Sequence, residues 1–526
     1  MKRVKRIIAF FLAFTFILSG GLTIMAETEP LSPESMQSKG ISPITGTFIQ
    51  PWLYNAYTNE RWDKEFEMMK ELGIEYIIMG DTLSCVTGDP ITDTSKWVIT
   101  ADYATQNPSF RKGNDVLTPL FERCKNYGMK LYVGMGNTPA GWPFFDYAAT
   151  GFVQISEMFA EVAEDLYNVY YTAYPETFAG FYFVPEMYNS SNFDNDYQRK
   201  KYVENLGKGF HNIFDKLTSL NPDLPFIFSP YVNMFGGSWV SKNPDNIGLF
   251  WKDLLATAGF RNGDILCPQD SVGAGGNDLT LLEDVTKAYK FAVDNCGLDI
   301  KLWSNCEIFV QPTDKFYDNY DGAGYWSACT TDRMVQQFEI VSKYVDRIFC
   351  FAVPHYLSPY NNVHGYYDSY MYYLKNGKLD DVAPIPPDTF RTTFESVNGK
   401  KVLAVYWSGM YDNIGVHRVN IYKNGELYTY RIATRNEGHD GTESYPNKFW
   451  DLDFTPESTS GVTYMFEVID CAGNVSKRSR ITITPSSVPN NVRLTETYTG
   501  PIPAGSSLAA GVKAGAKAAK RKPVNQ

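Results

Sequence analysis

Two glutamates occupy positions that packing does not explain. Glu186 closes the run FAGFYFVPEMYN, Phe178 to Asn189, an apolar, aromatic stretch of β-prone composition that meets a Pro and then this one carboxylate before turning polar. Glu307 stands in the same place after a second such run, in the segment LWSNCEIF. A carboxylate at the end of a buried strand loses its hydration, so it calls for a bonded partner or a reaction. Acid-assisted cleavage of an acetal uses two of them. One is protonated and sits on the leaving oxygen; the other is ionised behind the anomeric carbon, roughly 5 Å away for retention and 6.5 to 9.5 Å for inversion.

Other strand-like runs deliver a consistent set of side chains to the same ends. They are Gln50 and Trp52, Asp81, Asn137 with Trp142, Tyr188 beside Glu186, Tyr231, Gln269 with Asp270, Asn305 beside Glu307, and His355 with Tyr356. Flat rings stack on the apolar faces of sugars while amides and carboxylates take the hydroxyls, so the set suits a carbohydrate. Asp270 could bind a hydroxyl, tune the acid, or replace one Glu in an inverting arrangement. Each residue also has a plainer reading. Either Glu could be bonded to loop amides or Arg, Asp81 could cap a loop, the Trp and Tyr rings could be core, and His355 could be a satisfied structural imidazole.

The elements that would position these residues alternate strictly. Strand patterns at Gly46 to Gln50, Tyr76 to Asp81, Lys130 to Gly134, Gly180 to Pro185, Pro225 to Pro230, Asp264 to Cys267, Ile300 to Asn305 and Arg347 to Val353 are each followed by a segment of helical period. The first two helical segments stop at Gly73 and Gly128. Eight strand-helix repeats predict an α/β chain built on a (β/α)8 barrel, in which strand carboxyl ends converge on one mouth and strands four and seven face each other across it. An open doubly wound sheet would want a Gly-rich phosphate turn after the first strand, and GTFIQPW is not one. At Val382 the composition shifts to the Pro-rich VAPIPPD, and beyond it short alternating runs broken by Asn/Gly turns predict a β-sandwich. The expected domains are therefore a signal peptide at 1–26, a flexible lead-in at 27–44, the barrel at 45–380, a linker at 381–388, the sandwich at 389–485 and a disordered Ala/Gly/Lys-rich tail at 486–526.

Composition narrows the function classes. The 526 residues are 44% apolar and 15% aromatic, enough for a large core, with a net charge of -11. The first 26 residues hold Lys2, Arg3, Lys5 and Arg6 and no acid, so their removal leaves -15. Such a chain is a poor binder of nucleic acid or anionic lipid by bulk charge. Those basic residues, the apolar Ile7 to Leu18 and the small Ala26 form an export signal too short to span a membrane, which predicts a secreted protein with no membrane anchor once it is removed. Eight dispersed cysteines read as buried free thiols. With five His, no HExxH and no CxxC, no metal site and no cofactor are expected, and metal-assisted deacetylation or phosphoester cleavage lacks a ligand cluster. The run DNYDG at Asp318 to Gly322 lacks the spacing of an EF loop and reads as a turn.

The barrel resembles the clan A glycoside hydrolases, whose acid/base Glu follows strand four and whose nucleophile Glu follows strand seven. More narrowly, TGTFIQPW, LGIEYIIM, FAGFYFVPEMYN, CPQDSVG and LWSNCEIF resemble a family of secreted bacterial barrels described mainly as a domain of unknown function and regarded as glycosidase-like. The resemblance runs from about Thr45 to Lys378 and implies Glu186 as acid/base and Glu307 as nucleophile, with Gln269 and Asp270 as substrate or supporting contacts. The DCAGNVS turn resembles immunoglobulin-like and fibronectin type III modules appended to bacterial secreted enzymes. One position departs from the clan pattern. Many members place an Asn before the acid/base to hold the sugar 2-hydroxyl, and here Pro185 stands there, leaving that role unfilled or supplied by Asn305 or Asn189. The expected protein is a secreted hydrolase of polysaccharide or oligosaccharide. A barrel that binds glycan or a surface without cleaving it is the alternative.

Overall fold

Strands buried on both faces are near-continuous in apolar residues, and such strands build parallel sheets covered by helices. The computed structural model describes residues 36, 40–86, 97–137, 147–311, 326–397, 399–435, 443–444, 446–454, 460–484, 488, 491–493 and 496–498. In it the eight expected strands are β1 (Ile44–Ile49), β2 (Tyr76–Met79), β3 (Lys130–Gly134), β4 (Phe178–Phe183), β5 (Phe226–Phe228), β6 (Ile265–Leu266), β7 (Lys301–Glu307) and β8 (Arg347–Phe351). Each pairs in parallel with its sequence neighbours, and β1 pairs with β8 to close the barrel.

The helices that follow them are α1 (Asn59–Glu71), α2 (Leu117–Tyr127), α3 (Thr150–Leu166), α4 (Asp196–Leu220), α5 (Pro244–Thr257), α6 (Leu282–Asn295), α7 (Thr331–Val341) and α8 (His364–Asn376). Local chemistry sets their ends. Thr58 accepts from Arg61 N at the start of α1, and Gly128 at φ 72° closes α2. Asn243 caps α5, with Pro244 at the first turn.

The barrel interior is packed with side chains. Phe48, Ile78, Tyr132, Tyr182, Ile227, Ile265, Trp303 and Phe349 form one cluster there, with Trp303 stacked on Phe349 at 4.9 Å. Gly46 is required by this filling, because a Cβ on it would lie 2.2 Å from the Phe349 ring. At the amino ends of the strands the charges are paired: Arg347 with Glu75 at 2.7 Å and Arg261 with Asp264 at 2.9 Å.

The C-terminal module has two antiparallel sheets. Its strands are β9 (Thr389–Val397), β10 (Lys400–Ser408), β11 (Val416–Lys423), β12 (Glu426–Ile432), β13 (Lys448–Asp451), β14 (Val462–Asp470), β15 (Arg478–Ile483), β16 (Asn491–Arg493) and β17 (Glu496–Tyr498). They are ordered β13-β10-β9-β16 and β12-β11-β14-β15-β17, and a core including Leu403, Val405, Trp407, Val419, Phe449 and Phe466 fills the space between them. One expectation needs correction. Residues 491–493 and 496–498, expected in a disordered tail, add an edge strand to each sheet, pairing with β9 and β15. Within the linker Ile385 bridges to Tyr411, and just before it Asp380 accepts from Asn413 and Asn474.

The signal peptide, most of the lead-in, Trp142, the 318–322 run and residues 499–526 lie outside the described residues. All seven cysteines with described side chains are buried and free, Cys124 and Cys471 among them. Among the described residues no helix is long and apolar enough to cross a membrane.

Candidate active site

A cavity of about 900 Å3 opens at the carboxyl ends of the strands, as the barrel topology dictates. Its walls include Gln50, Trp52, Asp81, Asn137, Glu186, Tyr231, Gln269, Asn305, Glu307, His355 and Tyr356 from the expected set. Phe48, Tyr182, Phe309, Trp326 and Phe351 also line it. Phe309 stacks on Trp326 at 4.3 Å and lies 5.3 Å from the Tyr356 ring, giving one wall an aromatic face. On another side His355 lies between Phe351, at 5.7 Å and nearly parallel, and the exposed Trp52, at 5.2 Å.

Glu186 hangs over the end of β4 past Pro185. Its Oε1 accepts from Gln269 Nε2 at 2.9 Å, and that amide is itself steadied by the Ser229 carbonyl at 3.2 Å. Burial raises the Glu186 pKa, the Gln269 amide opposes this, and the negative charge of Asp81 adds to it. Burial also pushes Asp81 up to about 6, against a hydrogen bond from Asn137.

Glu307 is the last residue of β7 and only 3% exposed. Its Oε2 accepts from Ala274 N at 2.6 Å, in a loop that comes close because Gly273 carries no side chain; a Cβ there would lie 2.8 Å from the Glu307 Cβ. Burial first and the Asp270 charge second push Glu307 up to about 8, and the charge of Glu186 contributes in the same direction. The two glutamates therefore share one cavity and feel one another's charge. Among the described residues no ion pair ties up either.

Asp270 stands behind this wall rather than in it. It is 3% exposed, its Oδ1 accepts from Glu307 N at 3.0 Å and Val272 N at 3.2 Å, and its Oδ2 accepts from Gln337 Nε2. With both oxygens taken by protein donors, it does not line the cavity. Tyr188 is a second correction: it packs edge-on against Trp239 at 5.2 Å, away from the cavity lining. Of the two Asn offered for the sugar hydroxyl, Asn189 is consumed by Asn233 and Ser241. Asn305 lines the cavity, bonds Ser229 through Nδ2 and has a buried Oδ1 without a partner among the described residues. His355 Nε2 is likewise buried without a partner, and burial lowers its pKa to about 4, so it is a neutral imidazole at neutral pH. Among the described residues no group of three or more His, Cys, Asp or Glu is placed to hold a metal ion.

Fold and cavity define the class: a (β/α)8-barrel protein whose mouth presents unpaired carboxylates among aromatic rings. The chain belongs to the family described as Domain of unknown function (DUF4434), whose model matches residues 44–364. No curated protein matches it. Among solved structures it is similar to a candidate alpha-L-fucosidase from Bacteroides thetaiotaomicron, at 18% identity over 60% of this chain and 90% of that one, TM-score 0.45. It is also similar to an intracellular xylanase from Thermoanaerobacterium saccharolyticum, at 10% identity over 59% and 86%, TM-score 0.34. A family 1 β-glucosidase from Thermotoga maritima matches at 11% identity over 57% and 77%, TM-score 0.32.

Proposed function

We propose that this chain is a secreted glycoside hydrolase that cleaves glycosidic bonds of a polysaccharide or oligosaccharide by a retaining mechanism, with Glu186 as acid/base and Glu307 as nucleophile. The observation that carries the reading is the pair of glutamates, Glu307 buried and Glu186 half-buried, bonded among the described residues by amide donors, on one aromatic-lined cavity at the ends of β4 and β7. Export is supported by the basic and apolar N-terminal pattern ending at Ala26.

Glu186 gives its proton to the glycosidic oxygen as the bond to the anomeric carbon breaks, while the Glu307 carboxylate bonds to that carbon. Water, surrendering a proton to Glu186, then attacks the same carbon and releases Glu307. The active form has the proton on Glu186 and the charge on Glu307. Burial and the Asp270 charge raise the Glu307 pKa to about 8, favouring its protonated form, so this reading needs Glu307 to ionise before it attacks, and that ionisation is what the acid limb of the pH profile reports.

The test is release of reducing ends from a panel of polysaccharides by the purified protein, with Glu186→Gln and Glu307→Gln as controls. Activity unchanged in both variants rejects the mechanism. Pro185, standing where the clan places Asn, favours a second reading: a barrel that binds glycan without cutting it. Glycan retention by wild type with no reducing ends from any polymer supports that alternative.

A further inference from the structure

The C-terminal module touches the barrel where the geometry of Glu307 is set. Helix α7 begins at Thr331 with no side-chain cap from Thr330, so its first amides need other acceptors. The turn after β14 supplies them: Thr331 N donates to Cys471 O at 2.9 Å and Asp332 N to Ala472 O at 3.0 Å. Gly473 follows at φ 109°, and a Cβ on it would lie 2.2 Å from the Asp332 carboxyl carbon. Cys471, fully buried, belongs to the apolar cluster of the barrel, not to that of the sandwich. Beside it Tyr366 on α8 bonds His417 Nδ1 on β11 at 2.7 Å.

From that capped end α7 reaches back into the site. Arg333 Nη2 donates to the carbonyls of both Glu307 and Phe309 at 2.7 Å. Gln337, fully buried one turn on, donates to the Glu307 carbonyl at 3.2 Å and to Asp270, whose other oxygen accepts from Glu307 N. The peptide groups on both sides of Glu307 are thus held by side chains of α7 and by the aspartate they orient. The positive charge of Arg333 is felt by His417 of the sandwich, so the module, the helix and the strand meet at one junction.

We infer that the β-sandwich is a strut of the active site: its Cys471–Gly473 turn seats α7, and Arg333 and Gln337 are positioning residues that aim Glu307. This part goes beyond the hydrolase reading, and only its kinetic consequence rests on that reading.

Thr331→Pro in the full-length protein removes one bond of the strut. Thr330, at φ -71° and ψ 151°, suits the residue before a proline, and the first helical position tolerates one. Hydrogen-deuterium exchange is expected to quicken in peptides covering 301–311 and 331–341 while those covering β2 and β3 stay at wild-type rates. With 4-nitrophenyl glycosides as probes, kcat falls by up to about 10²-fold at unchanged KM, as expected when a reacting group is misplaced from a distance. Gly473→Ala breaks the same contact from the sandwich side and gives the same pattern. Should either lose its cooperative thermal transition, Arg333→Lys replaces it, keeping the charge while losing the bridge between the two carbonyls. Exchange in 301–311 at wild-type rates in the folded variants overturns the strut. If no probe is turned over by wild type, the exchange result still decides it, and the hydrolase reading fails separately.

Discussion

The two ends of the barrel treat buried carboxylates in opposite ways. At the amino end Asp264 is 1% exposed and fully engaged: Arg261 reaches both its oxygens, and the amides of Phe226 and Arg261 complete the shell. The sandwich follows the same practice, with Arg478 on Glu467 and Lys423 on Asp451. At the carboxyl end Glu186 and Glu307 are sheltered too, yet each is met by neutral amides rather than a cation. Basic side chains are not the fold's sole answer, since Asp165, Asp270 and Asp470 are also buried and, among the described residues, met by neutral donors; what sets Glu186 and Glu307 apart is that they stand this way on the cavity wall, at a cost in stability.

That contrast is broken most directly by exchanging charge for amide at the mouth. Glu186→Gln and Glu307→Gln are each expected to lower hydrolysis by about 10²- to 10⁴-fold, the range for removing a positioned acid or base. Urea unfolding should show both variants as stable as wild type or more so, because no ion pair is lost. A marked loss of stability in either would put that Glu in the same class as Asp264.

The complementary change is Arg261→Met. It leaves Asp264 buried without its cation and is expected to destabilise by about 3–5 kcal/mol in urea unfolding. Reducing-end release should keep its wild-type pH profile, because Arg261 and the mouth lie at opposite ends of the strands. A shifted profile would mean that the two ends are electrostatically coupled.

Stability against pH sharpens the comparison next. Glu307, with its pKa raised from 4.5 to about 8, binds its proton more tightly folded than unfolded. Its contribution is therefore fully present below about pH 4.5 and is lost as pH rises through about 8. Asp81, raised from 3.8 to about 6, acts in the same direction over a lower window. Urea midpoints of wild type should fall relative to those of Glu307→Gln between pH 5 and 8, and a constant difference would show that Glu307 is ionised throughout.

Much of this architecture was legible in the sequence, for reasons particular residues make clear. Strands buried on both faces read as apolar runs, and the residue just past each run is the one a barrel delivers to its mouth, so Asp81, Glu186, Gln269, Asn305 and Glu307 were found by position alone. The same burial hides parity. Within FAGFYF nothing says that Tyr182 turns inward to the cavity, nor which of Phe48 and Ile49 does, and these inward rings were missed. Asp270 and Tyr188 were misplaced because residues after a strand can fold behind the wall as readily as into it. Arg333 and Gln337 carried no signal, since a polar residue on a helix face declares no partner across the chain. The strands at 491–493 and 496–498 carry no signal, because pairing with β9 and β15 is non-local while composition is not.

The subtlest probe is Asp270→Asn. The aspartate stands directly behind Glu307, and its charge is the second-largest cause, after burial, of the raised pKa there. Asparagine keeps an oxygen for the amides of Glu307 and Val272 and presents an NH2 where Gln337 now donates. Gln337 has a buried Oε1 without a partner, so turning its amide restores a bond to the new side chain while giving up the Gln337 bond to the Glu307 carbonyl, which Arg333 still holds. Shape is thereby preserved while one negative charge is removed, and Glu307 then ionises more readily. The acid limb of the kcat/KM profile should move to lower pH with the alkaline limb in place, since Glu186 sees Asp81 rather than Asp270 as its charged neighbour. A uniform loss of rate with both limbs fixed would assign Asp270 to aiming Glu307 alone and remove it from setting the charge at the mouth.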